Sequence, residues 1–178
     1  MRGTLHHHGE QHTLRFERRL AHSPERVWRA ISEPAELSHW FPADVRGERK
    51  QGAPLRFVFP HEAAPLEADL PETSWRNGQM LVYDPPRIME LSWAGEIIRM
   101  ELQPDQDGTR LIFTHTFPDR RKAARDACGW EYCLGSLERN LAGLPQEPFN
   151  PKRFDNVFDE YAVLFGPEAS ILRGPEAS

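Results

Sequence analysis

A chain of 178 residues with 39% hydrophobic and 28% charged positions has the make-up of a globular protein with a sizeable core. Its formal charge of −5 argues against a polyanionic partner such as nucleic acid. No apolar run is long enough to cross a membrane, and the start, MRGTLHHHGEQH, lacks the apolar stretch of a secretory signal, so a cytosolic protein is expected.

Residues 1–12 read as a flexible segment whose His6, His7, His8 and His12 have at most an adventitious affinity for metal. The alternating LRFERRL that follows predicts a strand with Leu14, Phe16, Arg18 and Leu20 on one face. A helix start comes next, with Ser23 as N-cap, Pro24 in first position and Glu25 in the first turn; Val27, Trp28 and Ile31 form its apolar stripe. Pro34 opens a second short helix closed by Leu37, Trp40 and Phe41.

Strands are then expected in succession. ADVRGERK is a weak one, while APLRFVFP puts Leu55, Phe57 and Phe59 on a single face. Residues 60–77, rich in proline and acid, read as a long loop. GQMLVYDPPRIMELSW reads as two strands around Pro85-Pro86, with Met89, Leu91 and Trp93 on one side and Glu90 on the other. EIIRMEL alternates Ile98, Met100 and Leu102, and the Asp107-Gly108 pair reads as a tight hairpin turn. GTRLIFTHTF then aligns Leu111, Phe113, His115 and Phe117 on one face, which sets an imidazole among phenylalanines.

From Asp119 to Gly143 the period becomes helical, with Trp130, Cys133, Leu134, Leu137 and Leu141 as its stripe and Gly143 as its stop. Cys133 is read as a small core residue and Cys128 as a bystander; two thiols make no disulfide framework. Arg120, Arg121 and Lys122 lie where the helix dipole disfavours positive charge, so a solvated face is the default and an anion or partner patch the alternative. Residues 146–178 form an extension with one amphipathic helix around Phe154, Val157, Phe158, Tyr161 and Leu164, and a tail carrying GPEAS twice.

The order of strand, two short helices, hairpin-linked strands and one long helix implies an α+β fold, a curved antiparallel sheet closed by that helix. GQMLVYDPPRIMELSW, DGTRLIFTHTF, GWEYCLGSLERNLAG and SPERVWRAISEPAELSHWF, taken in order, resemble the domain named for activators of the heat-shock chaperone ATPase. That domain belongs to the START-like, or SRPBCC, superfamily with the helix-grip fold. The resemblance implies one such domain over 13–145. Departures are the Gln51-Gly52 pair where two glycines are expected, the long 60–77 loop and the C-terminal extension. A shared fold does not by itself carry a shared activity.

The resemblance implies a cavity for a hydrophobic or amphipathic molecule, lipids included, between sheet and helix. Its candidate lining is Trp40, Phe41, Phe57, Phe59, Trp93, Met100, Phe113, His115, Trp130 and Leu134, with Arg18 read first as a snorkelling edge residue, and otherwise as anchoring an anionic head group or bonded to Glu131. No catalytic residue is assigned, although a cyclase, dehydratase or hydrolase would use His115 as acid or base. A third reading is a co-chaperone-like interaction module, with a protein partner or a second copy of the chain. No phosphate loop, metal-ligand spacing or nucleophile elbow is present in the sequence, so neither metal nor cofactor is expected.

Overall fold

The structure, a computed structural model, describes residues 2–59 and 76–173. Most of the expected 60–77 loop and the second GPEAS, at 174–178, lie outside the described residues. The strands are β1 (Thr4–His8), β2 (Gln11–Leu20), β3 (Asp44–Arg46), β4 (Pro54–Val58), β5 (Asn77–Asp84), β6 (Ile88–Trp93), β7 (Glu96–Asp105) and β8 (Gly108–Phe117). Helices α1 (Pro24–Ser32) and α2 (Pro34–Leu37) follow β2, and α3 (Ala123–Leu141) and α4 (Pro151–Phe165) follow β8.

All eight strands form one antiparallel sheet in the order β1-β2-β8-β7-β6-β5-β4-β3. Every neighbouring pair is a sequence neighbour except β2 and β8, which close the chain's start onto its last strand. Alternation decides which face is inner. Leu14, Phe16, Arg18 and Leu20 of β2 are buried, as are Leu111, Phe113, His115 and Phe117 of β8. The inner faces of β4 to β7 add Leu55, Phe57, Met80, Met89, Leu91, Ile98, Met100 and Leu102.

Against this face lies α3, presenting Ala123, Ala127, Trp130, Leu134, Leu137 and Leu141. Positions three and four apart share one side of a helix, so these residues form a continuous seam. Helix α1 begins as its sequence predicts, with the Ser23 side chain accepting from the Arg26 amide at 3.3 Å, and it packs against β7, β8 and α3.

Four expectations change. Residues 4–8 are an edge strand rather than a loose segment, and the Gly3 amide donates to the Tyr161 hydroxyl at 2.8 Å. The β7–β8 turn is Gln106-Asp107, with Gln106 at φ 50°, so Gly108 does not supply the positive φ. A Cβ on Gly108 would lie 2.3 Å from the Leu20 carbonyl oxygen, so its glycine answers to close strand approach. Cys128 is the buried thiol and Cys133 is half-buried, because a five-residue step moves 140° around a helix. Lys122, expected on a solvated face, is buried.

The extension also has a place. Helix α4 packs on α3 through Phe158, Tyr161 and Phe165, and the first GPEAS forms a short turn that buries Ala169. Burial pushes the Cys128 thiol up to about 12, and it donates to the Phe154 carbonyl at 3.3 Å.

Candidate functional site

At the end of the inner face where α3 begins, five side chains make a polar cluster. Glu96 opens β7 on the same side as Ile98, Met100 and Leu102, and His115 sits opposite Ile98 on β8. Lys122, Asp126 and Trp130 follow at four-residue steps, which stacks them on one side of the helix. His115 Nε2 and Glu96 Oε2 are 2.7 Å apart, and Trp130 Nε1 donates to His115 Nδ1 at 3.0 Å. Lys122 Nζ lies 2.5 Å from Glu96 Oε1 and 3.2 Å from Asp126 Oδ2. Arg125 bonds the other Asp126 oxygen at 2.9 Å.

The indole fixes the tautomer. Tryptophan can only donate, so Nδ1 of His115 must accept, and its proton resides on Nε2 and points at Glu96. Both ring nitrogens are therefore engaged. The sequence placed His115 inward correctly, but its partners are protein groups, Trp130 and Glu96.

Burial works to raise the Glu96 carboxyl, but the His115 hydrogen bond and the Lys122 ammonium outweigh it and hold it below the usual carboxylate range. Ligand-type atoms of Glu96, His115 and Asp126 all lie within 4.8 Å of one another, a spacing that a metal ion would accept. The Lys122 ammonium stands between the two carboxylates, so the protein's own cation fills that electrostatic role.

Beside the cluster runs a series of aromatic rings. Phe41 has its centroid 5.6 Å from Trp40, 6.4 Å from Phe57, 5.9 Å from Trp93 and 5.6 Å from Trp130. Trp93 stacks on Phe57 at 5.1 Å and on Phe59 at 5.5 Å, and Trp130 meets Phe113 at 4.6 Å. On β5, opposite Trp93 and Leu55 in register, is Gly78, where a Cβ would lie 2.8 Å from the Phe57 ring and 2.0 Å from the Ser92 carbonyl oxygen. That glycine is what lets the two rings meet.

The predicted lining residues thus divide. Phe41, Phe57, Phe59, Trp93 and Trp130 form one cluster whose outer members, Phe59 and Trp93, are half-buried. Met100, Phe113 and Leu134 have no exposed surface, so the middle of the expected tunnel is filled by side chains. Trp40 is tied into the core by its Nε1, which donates to the Ala30 carbonyl at 2.9 Å. Arg18 is not a snorkelling edge residue: it is buried and paired with Glu131 at 3.0 Å and Glu138 at 3.1 Å, which lie two turns apart on α3, and so joins β2 to the helix.

Glu96 and Asp126 escaped the sequence reading, and Lys122 entered it only as part of a basic stretch. The signal for Glu96 was present, because the alternation of Ile98, Met100 and Leu102 extends back to it. Lys122 and Asp126 are legible only once a strand carboxylate is known to face the helix start.

A separate groove of about 330 Å³ lies on the other flank of α3, among Glu131, Tyr132, Gly135, Glu138, Arg139, Glu147 and Arg153. Its walls mix charged groups with Tyr132 and exposed Leu144, and among the described residues no aromatic cluster of the sheet reaches it. Among the described residues no helix is long and apolar enough to cross a membrane.

Comparison with curated proteins gives no match. Among solved structures, CalU16 from Micromonospora echinospora superposes with a TM-score of 0.70 at 20% identity, covering 92% of this chain and 95% of that one. A conserved protein of unknown function from Enterococcus faecalis, EF2215, gives 0.69 at 20% identity, with 91% of each chain covered. The protein encoded by BPP1335 of Bordetella parapertussis gives 0.66 at 27% identity over 84% of each. These likenesses establish the START-like, helix-grip fold. A family profile described as "Activator of Hsp90 ATPase homolog 1-like protein" matches residues 21–142, from the end of β2 to the end of α3. The chain belongs to that family.

Proposed function

We propose that the protein binds a small hydrophobic or amphipathic molecule at the aromatic end of the sheet, against half-buried Phe59 and Trp93, which Phe41, Phe57 and Trp130 back from within the core. The observation that carries this reading is the ring series itself. Rings from β4, β6, α3 and the segment after α2 converge and end on half-buried Phe59 and Trp93, one turn of chain from the Glu96 carboxylate. Apolar walls with one or two fixed polar groups are what a small-molecule site needs. A planar apolar guest would extend the Phe57–Trp93–Phe59 stack.

An acid–base enzyme at His115 is less well supported. General catalysis needs a nitrogen free to meet the reacting group, and here Nε2 and Nδ1 are both engaged. His115 acts instead on Trp130, holding one wall of the site.

Titration with the fluorescent probe 1-anilinonaphthalene-8-sulfonate tests the reading. Binding to the wild-type chain is expected to weaken on the order of tenfold in Trp93→Ala and in Phe59→Ala, the loss of one stacked ring. Ile97→Ala, on the outer face, should leave it unchanged. Equal affinity in all four proteins would overturn the assignment.

A further inference from the structure

The N-terminal hairpin holds a second arrangement with its own chemistry. His7 of β1 and His12 of β2 are directly opposed in register, and their Nδ1 atoms are 2.7 Å apart with the rings at 87°. At that distance one nitrogen donates and the other accepts, so at least one ring presents an imidazole lone pair toward its partner. His6 and His8 belong to the opposite face by strand alternation, and His6 is instead bonded to Thr4 Oγ1 at 2.9 Å.

We propose that His7 and His12 form a two-histidine site for a divalent cation of the zinc, copper or nickel class. Neutral imidazole is the ligand these ions favour, at Zn–N distances of about 2.0–2.1 Å. Two nitrogens on one such ion stand roughly 3.0–3.4 Å apart, so the pair needs to open by less than about 1 Å from its present contact. Rotation of exposed His7 alone supplies that opening, since half-buried His12 is steadied by the Phe117 ring at 6.2 Å.

The hairpin beneath is built to hold the pair in place. The link between the strands is the two-residue Gly9-Glu10 turn, with Gly9 at φ 62°. At the other end Gly3 is bonded to Tyr161 and seated against Phe16, where a Cβ would come within 2.5 Å of the ring. The backbone positions of the two ligands are thus set before any ion arrives, and only the His7 ring has to turn, whereas histidines on a loose tract would be interchangeable.

That difference decides the experiment. Zinc chloride is titrated calorimetrically into the full chain and four variants, with magnesium chloride as the control. His7→Ala and His12→Ala are each expected to weaken zinc binding on the order of 100-fold, the loss of the second arm of a chelate. His6→Ala and His8→Ala should stay within about twofold of wild type, and magnesium should not bind, because it prefers oxygen ligands. Should His12→Ala fail to fold, exposed His7→Ala carries the test. Equal losses for all four histidines, or an unchanged affinity in His7→Ala, would overturn the proposal.

Discussion

Trp130→Phe isolates what the indole nitrogen does. In the wild-type chain Nε1 donates to His115 Nδ1 at 3.0 Å, and both residues are about 5% exposed. Phenylalanine keeps a ring against Phe113 and Phe41 but leaves Nδ1 in the interior without a donor. An unpaired buried acceptor costs about 1–3 kcal/mol, and the smaller ring forfeits roughly 1 kcal/mol of apolar burial. The sum, about 2–4 kcal/mol, lowers the melting temperature by roughly 5–15 °C for a chain of this size. Urea unfolding of Trp130→Phe, His115→Ala and the double variant separates the two contributions. If the hydrogen bond is the shared element, the double variant is less damaged than the sum of the singles by about 1 kcal/mol or more. Additivity within about 0.5 kcal/mol would refute the coupling and reduce Trp130 to a packing residue.

Two further substitutions probe the neighbouring groups. The Glu96 carboxyl titrates below its ordinary value in the folded chain, so its contribution to stability is present above that ordinary value, near 4.5, and is lost as the pH falls through the folded one. The urea stability of wild type should therefore drop more steeply than that of Glu96→Gln between about pH 5 and pH 3, and parallel profiles would refute the assignment. Gly78→Ala must push a methyl into the Ser92 carbonyl oxygen and the Phe57 ring, at a cost of about 1–3 kcal/mol. Its tryptophan near-ultraviolet dichroism should lose the signal of the Phe57–Trp93 stack, and an unchanged spectrum would show that the rings do not depend on the glycine.

Much of the architecture was legible because alternation and helical period report burial directly. The inward faces of β2, β7 and β8 followed from spacing, and so did the start of α1. What escaped were features decided by partners distant in the chain. Thr4–His8 carries three histidines and little apolar signal; it is a strand because β2 offers it an edge and Tyr161 holds Gly3. Lys122 resembled a solvated cation because its carboxylates come from β7 and from the next helical turn. Alternation put Arg18 on the inward face, but its spacing suits a snorkelling edge residue as well as a buried cation; Glu131 was a candidate partner, and Glu138 joins only because two turns of α3 bring it to the same side. The aromatic cluster was visible as a set of residues, while its hub at Phe41 depends on how α2 folds back over the sheet.

The polar cluster and the aromatic site are one construction. Buried charges are tolerated only when each finds a partner, and Glu96, Lys122 and Asp126 satisfy one another only if α3 starts at one height and one rotation above the sheet. Trp130 lies one turn beyond Asp126 on the same helix face, so that constraint also sets where its indole falls, and His115 then fixes the ring's orientation. Apolar packing alone would let α3 slide, since alanine and leucine contacts along a smooth seam have many near-equivalent registers. The ion pairs remove that freedom and tie the wall of the aromatic site to the strand opposite. On this argument the charges nearest the aromatic rings act through geometry: they position Trp130, which with Phe41 backs the half-buried Trp93 and Phe59 where the proposed guest would bind.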